Sequence, residues 1–335
     1  MTRLLEMRDV SVAFDTFERR SIALTGVNLS VDKGEVVGIV GETGCGKTLT
    51  GLSILRLLPR TASIVGGSIT LDGEDVLAMS ERDIRGLRGA RVAMVFQNPT
   101  SAFNPVHTIG SHLRLVLQTH TRMHGREIAQ RIREALSDVG MPDIERVVRS
   151  YPHQLSGGML QRAMIAMALL LKPALLIADE PTTSLDVTIA AQVLELIRRL
   201  QHERGFSVVY ITHDLGVVRG ICDRVVVLYA GRDVETASTE DLFAAPAHPY
   251  TRALLAAVPR VSARGHALPV IPGIVPSDPG AMVGCPFVDR CAFAFDRCRV
   301  ERPEPTIVGG THAAACHLLT PQGAGAAKQP VGIAS

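Results

Sequence analysis

Residues 41–48 read Gly41-Glu42-Thr43-Gly44-Cys45-Gly46-Lys47-Thr48. They fit the pattern G-x-x-x-x-G-K-[ST] without a gap, and both flanks suit it. Glu35-Val36-Val37-Gly38-Ile39-Val40 before them is a buried-strand run, and Thr48 to Leu58 after them reads as a helix stopped by Pro59. A glycine-rich turn between strand and helix wraps backbone N–H groups around phosphate oxygens, and the helix N-terminus adds the positive end of its dipole. Gly41, Thr43, Gly44, Cys45 and Gly46 make the cradle. Lys47 would reach the β- and γ-phosphates, and the Thr48 hydroxyl would face Mg²⁺. These residues predict a nucleoside triphosphate site in an α/β domain.

The second half of such a site lies far along the chain. Ala174-Leu175-Leu176-Ile177-Ala178-Asp179-Glu180 is an apolar strand that ends in two acids. Asp179 would join the magnesium shell, and Glu180 would serve the attacking water as general base. Phe206 to Thr212 and Val225 to Tyr229 read as further strands, and Val187 to Arg204 as an amphipathic helix. Alternating strands and helices imply a mostly parallel sheet. Residues 4–40 are richer in short β segments, with Val10 to Phe14 alternating. Residues from about 98 to 172 are helical throughout and interrupt the sheet. Composition shifts after residue 245. A proline-rich connector near 269–280 leads to a cysteine-rich segment, and small polar residues from Gly323 on read as a disordered tail. The expected division is 1–245, 246–320 and 321–335.

Bulk properties remove several function classes. The net charge of +2 is weak for a dedicated nucleic-acid binder. No apolar segment of secretory type follows Met1, and the longest apolar run, Ala163 to Leu171, is too short for a bilayer span of roughly 20 residues. The expectation is a soluble intracellular protein, where clustered cysteines are metal ligands more often than disulfides. Cys285, Cys291, Cys298 and Cys316 are spaced more widely than the C-x₂₋₄-C pairs of zinc sites. Four thiolates suit an iron–sulfur cluster better, with zinc as runner-up, His312 and His317 as substitute zinc ligands, and no metal as the third reading.

Between the two halves of the phosphate site stands Leu155-Ser156-Gly157-Gly158-Met159-Leu160-Gln161-Arg162. By itself this is a capped helix start with anion-binding character. It resembles the signature motif of ABC-transporter ATPases, and other parts of that family then follow in order. The resemblance makes Gln97 the glutamine that touches Mg²⁺ and links it to the helical subdomain. It makes Ser184-Leu185-Asp186 the loop before the next helix, His213 the histidine that contacts the γ-phosphate, and Phe14 the ring that stacks on adenine, with Phe17 as competitor. Each has a plainer reading as cap, surface or core residue. The fold implied is a P-loop NTPase ABC cassette: a RecA-like parallel sheet core, an antiparallel β subdomain and an inserted helical subdomain, with a small C-terminal metal-binding extension. Ser156, Gly157 and Gly158 would complete the ATP site of a second cassette in a head-to-tail dimer, and Asp186 would stand among the nucleotide-binding residues.

Two residues depart from the family pattern. Met159 replaces a commoner glutamine. Cys45 stands where serine is common, and a thiol beside Lys47 and a helix N-terminus is expected to have a lowered pKa, so that oxidation or alkylation would block ATP binding; an inert small residue that fills space is the alternative.

The tail narrows the resemblance. His248-Pro249-Tyr250-Thr251, the connector and Gly284-Cys285-Pro286-Phe287 look like the C-terminal extension of the dipeptide/oligopeptide and nickel importer ATPases of "D" type, some of which carry a [4Fe–4S] cluster there. That implies ATP and Mg²⁺ as cofactors. It also implies a different ATPase as partner, two membrane permeases, an extracytoplasmic substrate-binding protein, and a peripheral place on the cytoplasmic face of the membrane. Peptides are the expected cargo and nickel the alternative. A non-transport ABC ATPase acting on DNA or ribosomes is the reading from another class.

Overall fold

The computed structural model describes residues 2–15, 20–183, 185–258, 270–276, 279–320 and 323. They fall into two compact units. One draws on Met1–Leu4, Val31–Glu35 and Ala78–Ile211, the other on Leu5–Ser30, Val36–Leu77 and Thr212–Ser335.

The first unit is built on three parallel strands, Val92–Val95, Leu175–Asp179 and Ser207–Thr212, with Leu175–Asp179 in the middle. Every residue of Leu175–Asp179 and Ser207–Thr212 is buried, as expected for strands covered on both faces. The middle strand therefore delivers Asp179 and Glu180 at its carboxyl end, where open α/β sheets carry their ligand sites. The block expected to be helical contains Pro99–Ala102, Ile109–His120, Gly125–Asp138, Ile144–Arg149 and Gly157–Leu169. Their starts follow from local chemistry: Asn98, Thr108, Asp143 and Ser156 each accept a backbone N–H of the following turn. Val187–Arg204 begins on Asp186 in the same way and ends at Gly205, whose φ of 69° suits a residue without a Cβ.

The second unit holds two sheets. One has the order Arg20–Asp32, Arg3–Asp15, Ala62–Leu71, Glu74–Asp75. In the other, Val36–Val40 runs parallel to Arg224–Tyr229, and antiparallel strands follow: Arg232–Ser238, then His312–Ala314, then Thr306–Gly309. The sequence reading has no strand at 232–238. The turn that makes it is Ala230-Gly231, with φ of 47° and 73°, the two-residue geometry that matches strand twist. A Cβ at Gly231 would lie 2.1 Å from the Ala23 carbonyl oxygen, so only glycine fits.

The helix after the phosphate loop is Lys47–Ile54, shorter than the expected 48–58. Arg56 takes a left-handed φ of 50°, and the N–H groups of Arg56 and Leu57 return to Ser53 and Leu52. This Schellman closure ends the helix before Pro59 is reached. In the connector, residues 270–276 carry neither helix nor strand. Apart from Gly323, the tail at 321–335 lies outside the described residues, as do Phe17 and Ser184.

Candidate functional site

In the second unit the chain leaves the buried strand Val36–Val40 and turns through Gly41, Gly44 and Gly46, with φ of 155°, 83° and 105°. A Cβ on Gly41 would sit 2.2 Å from the Leu228 carbonyl oxygen, and one on Gly46 2.4 Å from Leu24 Cδ2. The glycines are thus required by both torsion and space. No side chain caps the helix Lys47–Ile54 and no acid stands in its first turn, so its N-terminal N–H groups carry no side-chain cap. Lys47 is only 5 % exposed, and its Nζ donates to the carbonyls of Gly41 at 2.8 Å and Glu42 at 3.0 Å. Thr43, Gly44 and Thr48 are exposed on the same loop.

Cys45 corrects an expectation. Its Sγ lies 4.0 Å from Lys47 Nζ, yet its pKa is raised, because burial outweighs the lysine's opposing field. The sequence displays the neighbouring charge but not the burial.

In the first unit Gln97, expected to touch Mg²⁺, and Glu180, expected to serve the attacking water, are hydrogen-bonded to each other. Gln97 Nε2 donates to Glu180 Oε2 at 2.9 Å, and Thr183 Oγ1 donates to the same oxygen at 2.9 Å. The Glu180 N–H donates to the Ile211 carbonyl. Glu180 has a φ of 44°, a left-handed conformation that a non-glycine residue holds only where its surroundings dictate it. Asp179 before it is 3 % exposed. Ser156 caps its helix by accepting the Met159 N–H at 3.3 Å. It is nevertheless exposed, as is Gly157. Gly158 packs so closely that a Cβ would lie 2.8 Å from Ile189 Cγ2. Asp186 caps the helix Val187–Arg204 through the Ile189 N–H at 3.0 Å. His213, in the second unit, is exposed directly after the strand Ser207–Thr212, and Phe14 is half-buried near the end of Arg3–Asp15, opposite Ala62.

All four tail cysteines line one small cavity, together with Phe287, Phe293 and His317. Burial raises the thiol pKa of Cys285 to about 12 and of Cys316 to about 11, and raises that of Cys291. Among the described residues no group of three or more histidine, cysteine or acidic side chains is close enough to hold a metal ion. The expected metal-binding extension, whether as a [4Fe–4S] cluster or as zinc, is therefore not supported. The histidines do not supply a metal site either. His312 Nε2 lies 2.7 Å from Glu235 Oε1, away from the thiols, and His317 Nε2 lies 2.9 Å from the Glu301 carbonyl oxygen.

The sequence reading misses three residues at the phosphate loop. The Glu42 N–H donates to Tyr250 Oη at 2.9 Å, and the Glu42 carboxylate receives both ends of the Arg290 guanidinium at 2.8 and 2.9 Å. Tyr250 belongs to a motif visible in the sequence, but only as a mark of resemblance, and nothing local signals Glu42 or Arg290.

Comparison with known proteins follows this geometry. The family model described as ABC transporter matches residues 24–183, and the one described as oligopeptide/dipeptide transporter, C-terminal region, matches residues 234–298. A probable peptide ABC transporter ATP-binding protein of Sinorhizobium fredii is 52 % identical over 93 % of this chain and 94 % of its own. The chain belongs to the ABC-transporter ATP-binding proteins. It is thus an ATP hydrolase coupled to transport. The dipeptide transport ATP-binding protein DppD of Bacillus subtilis is 43 % identical over 95 % of each chain, and the oligopeptide transport ATP-binding protein AppD of the same organism 43 % over 97 % of this chain and 99 % of its own. Among solved structures, a dimeric ATP-binding cassette in a post-hydrolysis state with ADP and Pi superposes with a TM-score of 0.64 at 28 % identity, covering 70 % of this chain and 99 % of that one. The ABC cassette fold is borne out. No helix among the described residues is long and apolar enough to cross a membrane.

Proposed function

We propose that this ATPase powers uptake of dipeptides and oligopeptides through a membrane permease pair, working as a dimer with a second ATPase and fed by an extracytoplasmic binding protein. The observation that carries the reading is the join of a phosphate-loop cassette to a tail of the oligopeptide/dipeptide transporter type in one chain. The compared relatives are named for peptides, which leaves nickel less supported as cargo. The protein would sit on the cytoplasmic face of the membrane, held by the permeases.

Within this reading the residues divide the work. Phosphate oxygens take backbone N–H groups of the loop, where Thr43, Gly44 and Thr48 are exposed, and the Lys47 ammonium exchanges its two loop carbonyls for the β- and γ-phosphates. Thr48, Gln97 and Asp179 would hold Mg²⁺, which neutralises charge developing on the transferred phosphoryl group. Glu180 accepts the proton of the attacking water, and Gln97 and Thr183 aim its carboxylate. His213 contacts the γ-phosphate, Phe14 stacks on adenine, and the exposed Ser156 and Gly157, with Gly158 and Asp186, serve the partner cassette's nucleotide.

Cys285, Cys291, Cys298 and Cys316 would hold a [4Fe–4S] cluster. What favours this reading is the number and type of donors, four thiols lining one cavity. Its contribution would be structural, closing a segment with little core of its own.

The deciding experiment reconstitutes the chain with its permeases, partner ATPase and binding protein in vesicles, and follows labelled dipeptide and ⁶³Ni²⁺. ATP-dependent accumulation of peptide, lost in Glu180→Gln, is expected. Accumulation of nickel alone would overturn the cargo assignment.

A further inference from the structure

The tail grips the phosphate loop. Arg290 sits on the short turn Val288–Arg290, bounded by Cys285 and Cys291. Its side chain is 4 % exposed, and its guanidinium forms a parallel two-bond pair with the Glu42 carboxylate. The other donors and the face of the same group are engaged within the unit: Nε donates to the Pro272 carbonyl at 2.7 Å, and the guanidinium carbon lies 5.6 Å from the centre of the Tyr229 ring. Tyr250 Oη takes the Glu42 N–H, and Tyr229, Tyr250 and Phe287 pack with ring centres 4.6–5.4 Å apart. Glu42 is thus held through backbone and side chain by groups outside the loop, while its own carbonyl receives Lys47 Nζ.

We infer that Arg290, with Tyr250, is a positioning residue for the phosphate loop: it fixes Glu42, so the C-terminal extension sets how tightly the loop binds the triphosphate. The inference rests on the reading that residues 41–48 bind nucleotide phosphates. Its physical basis is preorganisation. A loop turning on Gly41, Gly44 and Gly46 has many conformations to lose on binding, and a tether at its second residue removes part of that loss beforehand. Charge acts in the same direction. Without Arg290 the loop would present the uncompensated Glu42 carboxylate to a polyanion. Linkage requires the converse: nucleotide binding must steady the cysteine-bearing turn.

The test measures ATP affinity by titration calorimetry in the full chain for Arg290→Lys, Arg290→Ala, Glu42→Gln and the double variant Glu42→Gln/Arg290→Ala, with hydrogen exchange of the 285–298 peptide as an independent readout. Lysine keeps the charge but not the two-point fork, so it reports the grip even where the alanine variant fails to fold. Arg290→Lys and Arg290→Ala are each expected to weaken ATP binding about tenfold, Glu42→Gln less, because it loses the tether together with the opposing charge, and the double variant no more than Arg290→Ala. ATP is expected to slow exchange in the 285–298 peptide of the parent and not of the double variant. Parent-like affinity in Arg290→Lys and Glu42→Gln, or exchange indifferent to ATP in the parent, would overturn the inference. Lys47→Ala separates the two levels. If it binds ATP as the parent does, the loop reading itself fails; if it loses binding while the tether variants keep theirs, only the inference about Arg290 fails.

Discussion

Gln97 Nε2 hydrogen-bonds Glu180 Oε2 at 2.9 Å across 83 residues of sequence. The contact orients a carboxylate whose backbone is already held in a left-handed turn, so the aim of Glu180 depends on both. Glu180→Gln is expected to lower ATP turnover by about 10²–10⁴-fold, the usual range for a lost general base, with ATP binding retained. Gln97→Ala should keep the base but misdirect it and cost less. Steady-state phosphate release beside equilibrium ATP binding checks both, and unchanged turnover in Glu180→Gln would remove the assignment.

Lys47 presents a different case. Its buried ammonium is satisfied by two loop carbonyls, which a phosphate oxygen would replace on the proposed reading. Lys47→Ala is expected to weaken ATP binding about tenfold to a hundredfold, the scale of a charge-assisted hydrogen bond. A nucleotide titration that leaves the dissociation constant in place would be incompatible with the loop reading.

Much of this site is legible in the sequence because its signals are local. Gly41 to Thr48 declares a torsional and steric requirement within eight positions, and Asp179-Glu180 ends an unbroken apolar run. The hairpin at Ala230-Gly231 is less legible: it lacks the usual asparagine or aspartate, and the strand Arg232–Ser238 carries charges that a strand reading discourages. The Arg290–Glu42 pair spans 248 residues and leaves no spacing to read. Cys45 fails for another reason. Its neighbours in sequence argue one direction, and its burial, which only the fold supplies, decides the other.

Cys45 should accordingly be slow to alkylate. With its pKa raised by burial, little thiolate exists at neutral pH, and the residue is 1 % exposed. Mapping of iodoacetamide adducts by mass spectrometry in folded and urea-unfolded protein is expected to show Cys45 labelled only after unfolding. Prompt modification in the native state, blocked by ATP, would restore the picture of an activated thiol.

Asp233 gives a pH dependence of definite sign. Burial raises its pKa to about 6, while the Asn28 N–H it accepts at 3.1 Å acts against the rise. The unfolded carboxyl titrates near 3.9. Between about pH 4 and 6 the folded chain therefore holds the proton more tightly, and this contribution to stability is present below 4 and lost as pH rises through 6. Asp233→Asn keeps an acceptor for Asn28 and removes the titration. It is expected to be more stable than the parent at pH 7.5 by on the order of 1–3 kcal/mol, with the difference shrinking toward pH 4.5. Urea midpoints of both proteins across that range are the check. The comparison of variant with parent also cancels the opposing contribution of His248, whose pKa burial lowers to about 4. Parallel curves would mean that Asp233 does not titrate in this window.

The four tail cysteines yield the prediction with the sharpest alternatives. On the cluster reading proposed above, the four thiols lining one cavity would be the ligands, while His312 is turned to Glu235. Protein purified without oxygen is expected to be brown and to contain about four irons and four sulfides per chain. Cys298→Ser should lower both and destabilise the tail, because cluster binding is then part of its folding free energy. Zinc without sulfide would make the site a plain structural knot with a rearranged ligand set. Intact, folded protein free of metal, whose tail exchanges amide hydrogens as slowly as that of protein reconstituted with iron and sulfide, would show that aromatic packing around Phe287 and the Arg290–Glu42 pair suffice to hold the tail in place.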